Sequence, residues 1–173
     1  MKKALLLLAI VSIVSITLSG CIQEGTGILV LQITDAPGNL NITKALVTIS
    51  LVEVHFAGVN DTNISGEWRT VVEDSLTFDL IAIQDVKEFF GSAELDAGWY
   101  TQIRLHVDKA AVTIDGVEYN LTIPSKKVKL IKPFSIEDGQ TITLTLDFDV
   151  QDSVHRTGSD KYIFNPTIKV IQE

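Results

Sequence analysis

Over residues 141–150 every second side chain is apolar: Ile142, Leu144, Leu146, Phe148 and Val150 alternate with threonine and aspartate. Only a pleated strand, whose side chains point to opposite faces in turn, gathers those five residues on one face. The same period recurs at Leu29, Leu31 and Ile33. It recurs again over 99–107, with Thr101, Ile103, Leu105 and Val107 on one face and Tyr100, Gln102, Arg104 and His106 on the other. In the β-branched run 44–57 the parity changes midway, from Val47, Ile49 and Leu51 to Val52, Val54 and Phe56. A bulge or a switch between sheets near Leu51 accounts for that change.

Turn chemistry divides the strands. Asp115-Gly116, between Val112/Ile114 and Val117/Tyr119/Leu121, predicts a hairpin with a type I′ turn, which needs positive φ at both central residues. Asp35-Ala36-Pro37-Gly38 predicts a type II turn, residues 60–66 a polar loop, and 67–72 a strand whose Trp68 is read as a packing residue. Lys126, Lys127, Lys129 and Lys132, followed by Pro133, are the residues that protect an edge strand from pairing with neighbours, with a basic docking site as the alternative. Residues 161–171 form a closing strand interrupted at Pro166. Helix spacing occurs over 80–91, where Ile83, Val86, Phe89 and Phe90 could share a face and Gly91 could cap. The expected fold is all-β: a Greek-key β-sandwich of about nine strands with one short helix.

The start of the chain is of a different kind. Lys2 and Lys3 precede an apolar stretch from Ala4 to Leu18, the composition of a secretory signal. The stretch ends at Leu18-Ser19-Gly20-Cys21, which contains the only cysteine and resembles the lipobox of prokaryotic lipoproteins. The resemblance implies cleavage before Cys21 and acylation of that residue, whose two acyl chains suffice for stable anchoring. An uncleaved spanning helix is the rival, since residues 4–22 carry no charge; Ser19 and Gly20 favour the lipoprotein. Either way the rest of the chain faces outward from the cell membrane. The expected organisation is a signal peptide at 1–20, a lipid-anchored tether at 21–26 and a β-sandwich domain at 27–173.

With Cys21 acylated no internal disulfide can form, so packing must hold the fold. The chain has 14 basic and 22 acidic residues, and loss of Lys2 and Lys3 with the leader moves the net charge from −8 to −10. That sign argues against nucleic acid and against adhesion to anionic lipid.

Gly27 to Gly38 (GILVLQITDAPG), Val52-Glu53-Val54-His55, Ala97 to Leu105 (AGWYTQIRL) and Leu146-Asp147-Phe148-Asp149 with Ser153-Val154 resemble, in that order, domain of unknown function 4382. The resemblance spans nearly the whole mature chain. It implies a secreted or lipid-anchored prokaryotic protein and carries no activity with it. The AGWYTQIRL run is also similar to a strand of prealbumin-like and carboxypeptidase-regulatory-like sandwiches, which implies a sandwich fold alone.

Three sets of residues are candidates for chemistry. Asp147 and Asp149 share the outer face of one strand and Asp152 follows, so with Asp35 from the first turn they could form an oxygen-rich site for Ca2+. The alternative leaves these aspartates solvated, or has Asp147 and Asp149 paired with Arg104. Asn41, Asn60, Asn63 and Asn120 each begin an N-x-[Ser/Thr] triplet, four of the six asparagines, which fits glycosylation outside the cell. His55, His106 and His155 lack the spacing of a zinc protease, and no nucleophile elbow or phosphate loop is present; His55 and His106 are read as surface residues and no enzyme is expected. The functional expectation is therefore a binding or structural module at the cell surface, meeting a surface protein or glycan, with a cation-dependent binding domain as the alternative.

Overall fold

A computed structural model describes residues 25–36, 38, 41–59, 66–158 and 161–173. The leader, Cys21, Pro37 of the expected first turn, and Asn60 and Asn63 lie outside the described residues. Among the described residues there are twelve strands and one helix: β1 (Thr26–Asp35), β2 (Ile42–Gly58), β3 (Glu67–Val72), β4 (Leu76–Asp79), β5 (Glu88–Asp96), β6 (Gly98–Ile114), β7 (Val117–Asn120), β8 (Lys127–Ile136), β9 (Thr141–Asp149), α1 (Val150–Ser153), β10 (Val154–Arg156), β11 (Tyr162–Phe164) and β12 (Thr167–Gln172). No described helix is long and apolar enough to cross a membrane.

The fold is an all-β sandwich. Its four-stranded sheet runs β12-β9-β1-β5, and its six-stranded sheet is built on β2 and β6, with β3 and β4 beside β2 and with β7 and β8 beside β6. The chain crosses from one sheet to the other after β1, β4, β5 and β8, so sequential strands are split between layers. β1 and β9 run parallel, with Leu29 opposite Ile142 and Ile33 opposite Leu146. The alternating residues of both strands meet Ile49, Val52, Ile103, Leu105 and Val107 of the other sheet in one core. Burying those faces supplies the main driving force, at about 25 cal/mol per Å² of apolar surface.

β2 carries the expected change of parity. Ala45, Val47 and Ile49 are buried, then Val52, Val54 and Phe56, with register shifts on either side of Ile49 against β6. A bulge inserts one residue and so turns the remainder of the strand over. A further shift, at Thr101 of β6 against both β2 and β8, departs from the expected alternation: Tyr100 points into the core, not outward with Gln102 and Arg104.

The helix expected over 80–91 is absent. Residues 80–85 form turns, with Asp85 at φ 58°, and β5 follows as the edge strand against β1. Ile83 and Phe90 are buried while Val86 and Phe89 remain exposed, so the apolar residues that would have shared a helical face are divided. Pairing with the open edge of β1 satisfies its backbone groups and overrides the local spacing. The short helix is instead α1, where Asp149 is the N-cap and its side chain accepts from the Asp152 N–H at 2.9 Å. Strands exceed the expected nine because 76–79, 88–96 and 154–156 pair as further strands.

The Asp115-Gly116 turn joins β6 to β7 with φ 51° and 78°. A Cβ on Gly116 would meet nothing within 4 Å, so Gly116→Ala should cost only the strain of positive φ, about 1 kcal/mol. A thermal melt showing a small, cooperative loss checks this; a multi-kcal/mol loss would mean that the turn packs on something.

Candidate functional site

Two places concentrate polar side chains. The first is the end of the sandwich where β1 and β9 finish. Asp35 continues the inward parity of Leu29, Leu31 and Ile33, so its carboxylate is 1% exposed. One oxygen accepts from the Val150 N–H at 3.0 Å and the other from the Gln84 side chain at 3.1 Å. Burial, the largest influence, together with the nearby charges of Asp149 and Asp147, outweighs these bonds and raises its pKa to about 6. Asp147 lies opposite Lys169 on β12; burial raises its pKa, and Lys169 opposes that rise.

These positions correct the expected pairing with Arg104, which lies in the other sheet. Asp149 caps α1, Asp152 is exposed, and Asp35 spends both oxygens on protein donors. Among the described residues no group of three or more His, Cys, Asp or Glu is placed to hold a metal ion. The geometry is that of a latch, which fastens the end of β1 to α1 and to the β4–β5 connection. Asn41 and Asn120 are both exposed, as a modified asparagine must be.

The second place is the outer face of the six-stranded sheet. Register puts Trp68, His55, Gln102 and Ile131 in one row across β3, β2, β6 and β8. Thr70, Glu53, Arg104 and Lys129 form the next row, and Leu51, His106 and Lys127 a third. Opposed residues of an antiparallel pair share a face, and the bulge in β2 is what turns Glu53 and His55 outward.

Arg104 is the centre of this face. Its guanidinium lies 3.9 Å from the centroid of the Trp68 ring, a cation–π contact. It donates to the Glu53 carboxylate from Nε at 2.7 Å, with Nη2 at 2.6 Å. His55 meets the Trp68 ring edge to face at 5.1 Å, and its Nδ1 is 2.9 Å from Thr101 Oγ1. His106 Nε2 approaches Glu53 Oε2 at 3.4 Å without forming a hydrogen bond, and Gln102 Oε1 has no partner either. The exposed Lys127 and Lys129 border the cluster on β8, which is the edge strand that its lysines predicted.

Sequence reasoning placed His55, Arg104 and His106 on outward positions but did not join them. Trp68 does pack, though on Arg104 and His55 outside the sandwich and not in the core. The available signal was the expected change of parity in β2: with Val52 and Val54 inside, Glu53 and His55 must stand beside the polar face of β6.

No curated protein and no solved structure matches this chain. A family model, domain of unknown function (DUF4382), matches residues 26–166, from the first strand to the bend before the last. The chain belongs to the DUF4382 family.

Proposed function

We propose that the protein is a lipid-anchored, extracytoplasmic binding module that reads an acidic glycan of the cell envelope with the outer face of its six-stranded sheet. One observation carries this reading: in a chain of net charge −8, Arg104, Lys127 and Lys129 stand together on a sheet face that also presents Trp68, His55 and Gln102. Glycans are recognised by planar aromatic surface for their C–H faces and by fixed polar groups for their hydroxyls. The basic border adds attraction for carboxylate or sulfate substituents. The Glu53 carboxylate and the Trp68 ring hold Arg104 in place, so little side-chain freedom is lost on binding. The signal sequence and lipobox at the start of the chain support the location.

Oligosaccharide arrays probed with the purified protein test the reading. The expected result is selective retention of acidic glycans, weakened at least about tenfold, or about 1.4 kcal/mol, by Gln102→Ala and by Trp68→Ala. Higher salt should weaken it too. Binding that neither substitution alters would place the site elsewhere, and retention of no glycan would remove the reading.

A further inference from the structure

The end of the sandwich at which β1 begins carries apolar side chains that the core does not use. The Gly25 carbonyl accepts from the Ala97 N–H at 2.7 Å, and Thr26 lies opposite Asp96. The chain therefore enters the fold beside the first residues of β6. Two positions past Ala97, Trp99 is 55% exposed; it lies opposite Gly58, and Val59, the next residue, is 42% exposed. The backbone forces this arrangement. Gly98 has φ +148°, and a Cβ there would stand 2.7 Å from the Phe56 ring and 2.9 Å from the Gly58 carbonyl. A close approach that only glycine permits sends Tyr100 into the core and leaves Trp99 outside.

We propose that Trp99, with Val59 beside it, seats this end of the domain in the interfacial layer of the membrane that carries the chain's own lipid. The proposal rests on acylation of Cys21. Only Ile22, Gln23 and Glu24 separate Cys21 from Gly25, and four Cα steps span at most about 14 Å. The polar layer on each side of the hydrocarbon is itself about 5–8 Å deep, so the entry point of β1 cannot stand far from it. Tryptophan favours this layer because its ring is apolar while its N–H still finds a partner. A contact too weak to recruit the free domain suffices once the tether has made the encounter intramolecular.

Charge selects the lipid. Glu94, Asp96, Glu137 and Asp138 occupy the same end, where Arg69 pairs with Asp96, and Thr26 engages Glu94 and Asp138. An acidic end suits zwitterionic headgroups, and anionic lipid should weaken the seating.

Trp68 and Trp99 are the only tryptophans, and neither lies in the core, so the test uses the mature acylated protein of verified intact mass in phosphatidylcholine vesicles with brominated acyl chains. Trp68→Phe leaves Trp99 as the sole tryptophan and Trp99→Phe leaves Trp68, each excited selectively at the red edge of tryptophan absorption. The first variant should lose most of its emission to the brominated lipid. The second should be unaffected by bromination. Unquenched Trp99 in protein that floats with the vesicles overturns the seating and leaves the anchor intact. Quenching of Trp68 as strong as that of Trp99 also overturns it, because the sheet face would then lie on the bilayer. Protein that lacks the acyl mass and does not float removes the anchor, and the seating with it.

Discussion

Tyr100→Ala is expected to lower stability by about 3–5 kcal/mol, the range for emptying a large aromatic site in a core. Tyr100 is completely buried, stacked on Phe134 at 5.1 Å with the rings 8° from parallel, and tilted against Phe56 at 5.2 Å. Its hydroxyl donates to the Asp96 carbonyl at 2.8 Å, and burial, aided by the Asp96 charge, pushes its pKa up to about 12. The phenol therefore stays protonated and the bond persists across the working pH range. Alanine leaves a void between two rings that the β2–β6 and β6–β8 pairings hold in place, so little collapse is available. Tyr100→Phe keeps both ring contacts and loses only the hydrogen bond, at about 1 kcal/mol. Chemical denaturation of the three proteins separates the two effects. If alanine and phenylalanine cost the same, the side chain is not packed between Phe56 and Phe134.

The second large effect depends on pH. Asp35 has a pKa of about 6 in the fold, against about 3.9 for an exposed aspartate. Between those values the native state holds a proton that the unfolded state has released, so stability falls as pH rises from about 4 to about 6 and is then level. Two pKa units correspond to roughly 3 kcal/mol. Asp35→Asn keeps an oxygen for the Val150 N–H, and Gln84 can turn its amide to face the new donor. The variant should be less stable than, or equal to, the parent at pH 4 and more stable at pH 8. The measurement is the difference in unfolding free energy between the two proteins at a series of pH values, which cancels titrations common to both. A difference that does not change with pH would show that Asp35 does not titrate in this window.

Asp35 and Tyr100 also mark where the sequence was readable and where it was not. The strand character of 26–35, 98–114 and 141–149 follows from local alternation, and so does the hairpin at Asp115-Gly116, because each depends on neighbours along the chain. Tyr100 defeats the alternation because the shift after it arises in pairing with β2 and β8, whose partner residues Phe56 and Phe134 lie more than thirty positions away, and no local pattern records it. The segment 80–91 fails for the same reason: β5 is a strand because β1 offers an edge. Asp35 reads as a turn residue beside Pro37, yet it belongs to β1, and only the parallel pairing with β9 brings Val150 to it. The polar face was legible in part. The outward parity of Arg104 and His106 is local, whereas their meeting with Glu53 and Trp68 depends on the register of three strands.

The parallel pair β1–β9 bears on how the protein is made. β1, the first of the described strands, sits in the interior of its sheet, and the bond from the Val150 N–H to Asp35 closes a separation of 115 residues. Such distant pairings form slowly. A chain exported from its amino terminus would have β1 across the membrane long before β9 follows, with Leu29, Leu31 and Ile33 uncovered in the meantime. In a chain exported in that way, the late arrival of β9 would keep the polypeptide threadable until most of it had crossed. A message truncated ahead of β9 would instead leave an adhesive ribbon, with β1 open on one side to pairing with its neighbours.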